Sequence, residues 1–331
     1  IMENLTEPVV LITGASGFIG RHAQVYLLDA GFSVRVLLRS ETSFENDCHS
    51  KLKKYYGNLT DAASLRKACE GVDCVVHLAG IAHVNEATKN CLHKINVNGT
   101  KLLINAAIAS KVKKFVLISS SLAVESMGDP DSSAAYGATK LMAEKLIMDE
   151  HIKGNILGVV LRPANVYGAG MRGNIALLIR LISRGLVPKL PTLENRVSML
   201  GVNDLSLAIY LSLKSERANG RTYLVTDGQQ YSISAIEREI YGALGKKMSR
   251  LEMPRVLLYS MFSAADLLGR ILRIFRLDLP ILGNLNLRTY RRLVSDNLFE
   301  SNQICDELSF KPQSTFHSEL PKIVGKIGNQ N

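Results

Sequence analysis

The 331-residue sequence predicts a doubly wound α/β protein, a parallel sheet with helices on both faces and a smaller, mostly helical C-terminal lobe. Three observations carry this. Short apolar runs alternate with helical periodicities through the first 165 residues. A glycine-rich turn joins the first run to the first helix, and the rhythm breaks after residue 165.

Pro8 to Thr13 is an apolar run ended by glycines, as expected of a parallel strand buried on both faces. Ile19 to Ala30 has helical spacing and Gly31 stops it. Ser33 to Leu38 is the second strand. A helix from Asp61 to Glu70 is expected to be capped by Thr60 and to stop at Gly71. Cys74 to Leu78 reads as a strand, Val97 to Ser110 as a helix, and Phe115 to Ile118 as a strand again. Tyr136 to Glu150 is a long helical pattern, followed by the strand Leu157 to Leu161. Further on, Ile175 to Arg184 is helical, Arg221 to Val225 reads as a strand returning to the sheet, and the rest is mostly helical. The expected division is a nucleotide-binding domain at 1–165, with a return segment near 197–228, and a substrate lobe from 166–196 and 229–331.

Hydrophobic residues at 47% and charged residues at 21% exclude a disordered chain, and five cysteines without metal-ligand spacing exclude a disulfide scaffold or zinc site. Reduced thiols and a cytoplasmic location are expected. The acidic N-terminus, with Glu3 and Glu7, does not read as a secretory leader. Asp266, Arg270 and Arg273 interrupt the apolar stretch Val256 to Phe275, so an amphipathic or buried helix is expected there, not a membrane span. The net charge of +10 suits nucleic acid, an anionic membrane surface or a phosphate-bearing small molecule. With the basic residues spread along the chain, aromatics at 6% and no Trp, the partner is expected to be a phosphate-bearing small molecule, not nucleic acid.

The turn Gly14-Ala-Ser16-Gly17-Phe18-Ile19-Gly20 has the spacing that lets a pyrophosphate approach the backbone at a helix N-terminus. This marks the first domain as a dinucleotide-binding fold of the Rossmann type. The second strand ends in Arg39-Ser40, where an acidic residue would accept from the ribose 2′-hydroxyl of NAD. A cation there favours the 2′-phosphate of NADP, with NAD as the alternative. Tyr136 and Lys140, four apart, share one helix face, and a nearby ammonium is expected to lower the phenol pKa. Ser119, Ser120 and Ser121 end the preceding strand, where a hydroxyl reaches the same reacting oxygen.

These motifs resemble the extended short-chain dehydrogenase/reductase superfamily, in its nucleotide-sugar 4-epimerase, dehydratase and ketoreductase branch. The matching stretches are Thr13 to Gly20, Gly57-Asn-Leu59, His77-Leu-Ala-Gly80, Asn96 to Thr100, Ser119 to Ser121, Tyr136 to Lys140 and Arg162 to Gly168. Fainter likeness runs through Arg172 to Asn174, Asn195-Arg196, Val202 to Asp204 and Asp306 to Pro312. The resemblance implies that Tyr136 is the acid/base, Lys140 its partner on the nicotinamide ribose, and Ser121 the donor to the sugar oxygen. It places Asn58 and Leu59 beside adenine, lines the cofactor cleft with Leu78, Ala79, Gly80, Ser119 and Pro163, and sets Asn96 behind the cleft. His83, Asn165, Asn174 and Arg196 are the substrate-side positions. Where the 4,6-dehydratases carry an Asp-Glu pair, this chain has Leu122-Ala123, so dehydration is not expected.

The resemblance implies NAD(P)-dependent reduction or epimerisation at C4 of a nucleotide sugar, a UDP-N-acetylamino 6-deoxy hexose of surface polysaccharide synthesis, by a homodimer. Two alternatives stay open: an NAD-dependent UDP-glucose or UDP-N-acetylglucosamine 4-epimerase, and a catalytically silent sensor on the same fold.

Overall fold

Residues Val9–Thr13 form β1, followed by the helix Phe18–Asp29 and then β2 (Ser33–Leu38). The structure is a computed structural model and describes residues 7–40, 49–82, 91–125, 134–274 and 286–328. Further strands are β3 (Leu52–Tyr56), β4 (Cys74–His77), β5 (Lys114–Ile118), β6 (Leu157–Pro163), β7 (Asn165–Tyr167), β8 (Arg196–Gly201), β9 (Thr222–Val225) and β10 (Gln230–Ser232). Seven of them make one parallel sheet in the order β3-β2-β1-β4-β5-β6-β9. Strand order reverses between β1 and β4, so the crevice beyond their carboxyl ends is where such a sheet receives a ligand. The register pairs Thr13 with Leu37 on one side and with His77 on the other.

On one face of this sheet, Leu65, Leu103 and Ile147 of three helices pack with Leu11 and Phe115 of the strands, all fully buried. Elsewhere in the same unit the helix Phe18–Asp29 packs on Val202–Lys214, with Tyr26 and Tyr210 at 6.0 Å between ring centroids. The helix Ala62–Cys69 is capped by Asp61, whose side chain accepts from Ala63 N at 3.0 Å; Thr60, the expected cap, lies one residue outside. A carboxylate beside the first free amides outcompetes a hydroxyl one step away. Where one helix was expected from Val97, a π-helical turn (Lys94–Gly99) precedes the α-helix Thr100–Ala109.

The chain divides into two compact units. The first contains residues 1–164, Val202–Val225 and Glu300–Gln313; the second contains Asn165–Gly201, Thr226–Phe299 and the C-terminal stretch from Ser314. The boundaries differ from those expected: residues 165 and 226–228 fall in the second unit, and two further differences are larger. The return segment begins at Val202, because β8 pairs with β7 and β10 in a separate three-stranded sheet. Glu300–Gln313, expected in the lobe, belongs to the first unit, where Glu307 accepts from Tyr223 OH at 2.7 Å. In the second unit, Asp227 accepts from the hydroxyls of Tyr167 (2.9 Å) and Tyr231 (2.7 Å), and Phe316 packs edge-on against both rings. No helix among the described residues is long and apolar enough to cross a membrane.

A buried ammonium ties β5 to the helix Val202–Lys214. Lys114 Nζ donates to the carbonyls of Ser212, Leu213 and Ser215 at 3.1, 3.3 and 2.8 Å, supplying partners for a helix C-terminus. Lys114→Met should therefore lose about 1.5–3 kcal/mol of stability, the scale of charge-assisted bonds, read as a lower urea midpoint with unchanged m-value.

Candidate active site

Gly14 adopts φ +74°, and a Cβ there would lie 2.7 Å from Ala79 N, so β1 and the chain after β4 meet backbone to backbone. At Gly20 a Cβ would come within 2.2 Å of Gly14 O, closing the turn onto the helix. Gly17 is the N-cap of that helix and makes no side-chain capping bond, and no acidic residue stands in the first turn that holds Phe18 and Ile19. The outcome is a cradle of free amides at the positive end of a helix, with Ser16 on its rim. Such a cradle fits the diphosphate of a dinucleotide.

Arg39 and Ser40 lie exposed just past β2, at the same edge of the sheet. Asn58, also exposed, accepts from Thr60 N at 3.2 Å in a turn, while Leu59 is buried in the core against Gly99. Leu78, Ala79 and Gly80 emerge half-buried to exposed at the end of β4. Asn96, on the π-helical turn, clamps the chain after them. It accepts from Ile81 N at 2.8 Å and donates to Ile81 O at 3.0 Å and to Thr139 Oγ1 at 3.1 Å. Asn96 thus holds the chain beyond the cleft against the helix Ala134–Ile152.

That helix carries Tyr136 and Lys140. Lys140 is 5% exposed and its Nζ donates to Ile118 O at 2.9 Å, at the end of β5. Burial holds its ammonium down to about 8, although Glu144 one turn on opposes the shift. Burial pushes the Tyr136 phenol up to about 12, the reverse of the lowering expected from the spacing alone. The reason is geometric: Lys140 spends a donor on the Ile118 carbonyl and lies 5.9 Å from the tyrosine ring centroid, too far to offset the desolvation of a phenolate. At neutral pH Tyr136 therefore stands protonated, as an acid.

The three serines after β5 differ in what holds them. Ser119 Oγ donates to the Glu144 carboxylate, which is itself gripped by Arg162 through two bonds at 3.0 and 2.6 Å. Ser120 Oγ accepts from Leu122 N at 3.2 Å. Ser121 is buried, and its backbone N–H is anchored to Pro163 O at 3.0 Å. The first unit thus gathers the glycine cradle, Leu78 to Gly80, Asn96, Ser119, Ser121, Tyr136, Lys140 and Pro163. Asn165, Asn174 and Arg196 lie exposed in the second unit, where the Arg196 guanidinium donates to Gln230 Oε1 at 2.9 Å. His83 lies outside the described residues.

Several residues that shape the site were not singled out from sequence. His77 sits between Thr13 Oγ1 (2.6 Å) and Thr100 Oγ1 (2.9 Å), and Thr100 donates to Asn96 O at 2.7 Å. Glu144 and Arg162 form a buried pair behind Ser119. Signals existed: His77 and Arg162 open matched motifs, and Glu144 follows Lys140 by one helical turn.

A seven-stranded parallel sheet with a glycine turn after its first strand defines the dinucleotide-binding class of α/β proteins. The chain belongs to the NAD dependent epimerase/dehydratase family, whose model matches residues 10–226. It is 28% identical over 290 residues to a UDP-glucose 4-epimerase of Vibrio cholerae, covering 82% of this chain and 87% of that protein. It is 26% identical to a 3-beta-hydroxysteroid dehydrogenase of Mycolicibacterium neoaurum, covering 74% and 72%. In fold it resembles UDP-N-acetylglucosamine 4-epimerase from Methanobrevibacter ruminantium, solved with UDP-N-acetylmuramic acid, at a TM-score of 0.75 and 22% identity over 98% of this chain and 99% of that one.

His77 supplies a test of the buried network. Burial, with Lys140 nearby, lowers its pKa to about 3 from 6.5. Below 6.5 the unfolded chain binds a proton that the folded chain refuses, so stability is full above that value and falls as pH drops toward 3. Differences in unfolding free energy between wild type and His77→Asn should shrink by a few kcal/mol across that window. A pH-independent difference would contradict the neutral, buried imidazole.

Proposed function

We propose that the protein transfers hydride at C4 of a UDP-linked N-acetylamino hexose, with net reduction of a 4-ketone as its reaction. The observation that carries this reading is Tyr136 and buried Lys140 on one helix, with buried Ser121 after β5, in the unit that holds the glycine cradle. NADPH, when bound, supplies the hydride. Tyr136 gives its phenolic proton to the oxygen that becomes the C4 hydroxyl, and Ser121 donates a hydrogen bond to the same oxygen. Lys140, four residues on along the same helix, would hold the ribose hydroxyls of the bound coenzyme. One hydride and one proton convert the ketone to the alcohol, which balances the step.

On the substrate side, Arg196, Asn165 and Asn174 contact the diphosphate and sugar in this proposal, a charge-assisted role that suits the chain's positive balance. The likeness to the Vibrio cholerae epimerase supports a nucleotide sugar over a steroid alcohol, with Arg196 the feature a steroid would leave unused. Arg39 supports NADP, since a guanidinium past β2 pairs with a 2′-phosphate. The second reading, a 4-epimerase, is favoured by that same relative; the residues would then act twice, first accepting a proton and later returning it. Leu122 and Ala123 offer no proton-transfer group, against dehydration.

Tyr136→Phe should bind NADPH as tightly as wild type and lose at least ~100-fold in turnover with a UDP-4-keto-6-deoxy-N-acetylhexosamine. Consumption of NADPH separates net reduction from the epimerase reading, in which UDP-N-acetylglucosamine is converted to its 4-epimer with no net change in the coenzyme. Rates within a few-fold of wild type would remove Tyr136 from the chemistry. Arg39→Asp should invert the preference for NADP over NAD in fluorescence titrations; a wild type that binds NAD at least as tightly would overturn the reading of Arg39.

A further inference from the structure

The helix Arg255–Ile274 shows two apolar stripes where a surface helix needs one. The first, Leu258, Phe262 and Ala265, is buried, and it packs with Met253, Leu190 and Tyr290 of the second unit. The second repeats the same spacing one residue earlier, at Leu257, Met261, Ala264 and Leu268, with Val256 and Leu267 beside it. Its large members are open to solvent: Val256 is 75% exposed, Leu267 60% and Leu257 50%. A contiguous aliphatic stripe of this kind marks an interaction surface.

The sequence segment that contains the helix does not share the even spread of charge seen along the chain as a whole. Residues 246–294 hold ten Lys and Arg against three Asp and Glu, a balance of +7 out of the chain's +10. Lys247, Arg250 and Arg291 are exposed, and Arg255 opens the helix with its guanidinium on Thr192 O at 2.6 Å. Of the carboxylates, Glu252 is neutralised by Lys189 at 2.5 Å, and Asp266 is half-buried.

We propose that this face docks on an anionic lipid surface, the helix lying in the interface with its outer stripe among the headgroups and the cations against lipid phosphates. An exposed aliphatic stripe on a helix drawn from a Lys- and Arg-rich segment is the pattern of a helix that lies on a membrane. Two other occupants fit less well. A second copy would set +7 against +7, and the aliphatic stripe gives nucleic-acid bases little to stack on.

Flotation of the full chain with vesicles tests this. At low salt the wild type should rise with vesicles of equal phosphatidylglycerol and phosphatidylcholine, at least ~10-fold more than with phosphatidylcholine alone, and high salt should release it. The pair Leu257→Asp, Leu267→Asp and the pair Lys247→Glu, Arg250→Glu should each lower binding roughly 10- to 30-fold while the thermal midpoint stays unchanged. The charge pair keeps the test open if the leucine pair fails to fold. Wild type that stays with the bulk, or folded variants that float as it does, would overturn the proposal. So would equal flotation on neutral vesicles, or light scattering that shows the leucine pair splitting a dimer that never bound lipid.

Discussion

The first unit depends on main chain meeting main chain at Gly14. No side chain fits between β1 and the residues after β4, and that closeness lets Thr13 reach both Ala79 N (3.3 Å) and His77. From His77 the hydrogen bonds continue through Thr100 to Asn96, and from Asn96 to Thr139 on the helix of Tyr136. The turn that fits a diphosphate and the helix that carries the acid are thus joined by one unbroken polar path. A larger residue at Gly14 would disturb both ends of it.

The polar groups behind the chemistry are buried. Lys140, His77, Glu144 and Ser119 are each under 6% exposed, and the protein accepts the cost of burying them by giving each a partner. Glu144 shows how closely these partners are shared. It holds Ser119, is held by Arg162, and raises the affinity of Lys140 for its proton. Buried ion pairs contribute little net stability but resist rearrangement, which suits a site where reacting groups must not drift. His77 takes the other course and stays neutral, so a cation near the cleft does not face a second one.

Much of this was legible in the sequence, for physical reasons that differ by element. Parallel strands buried on both faces are near-continuous apolar runs, so β1, β2, β4, β5 and β6 announce themselves. β3 does not, because Leu52–Tyr56 is a half-exposed edge strand with two lysines among its five residues. β7 and β10 are three residues each, too short for any periodicity to show. The glycine spacing and the Tyr136–Lys140 spacing are local and readable. The direction of the Tyr136 shift is not, since it depends on how much solvent the fold removes, and no spacing reports that. The Thr13–His77 and Lys114–Ser215 bonds join residues 64 and 101 apart in the chain, and a single sequence carries no sign of them.

The first unit is assembled from three separated stretches of chain, and this shapes its birth on the ribosome. When β6 emerges, its outer edge has no neighbour until β9, and the segment Glu300–Gln313 arrives later still. While residues 164–221 are being made, the nascent sheet therefore presents an open parallel edge, the kind of surface on which other chains pair wrongly. The N-terminal half cannot finish folding ahead of the C-terminal half. Its last piece, Glu300–Gln313, follows β9 by more than seventy residues of chain.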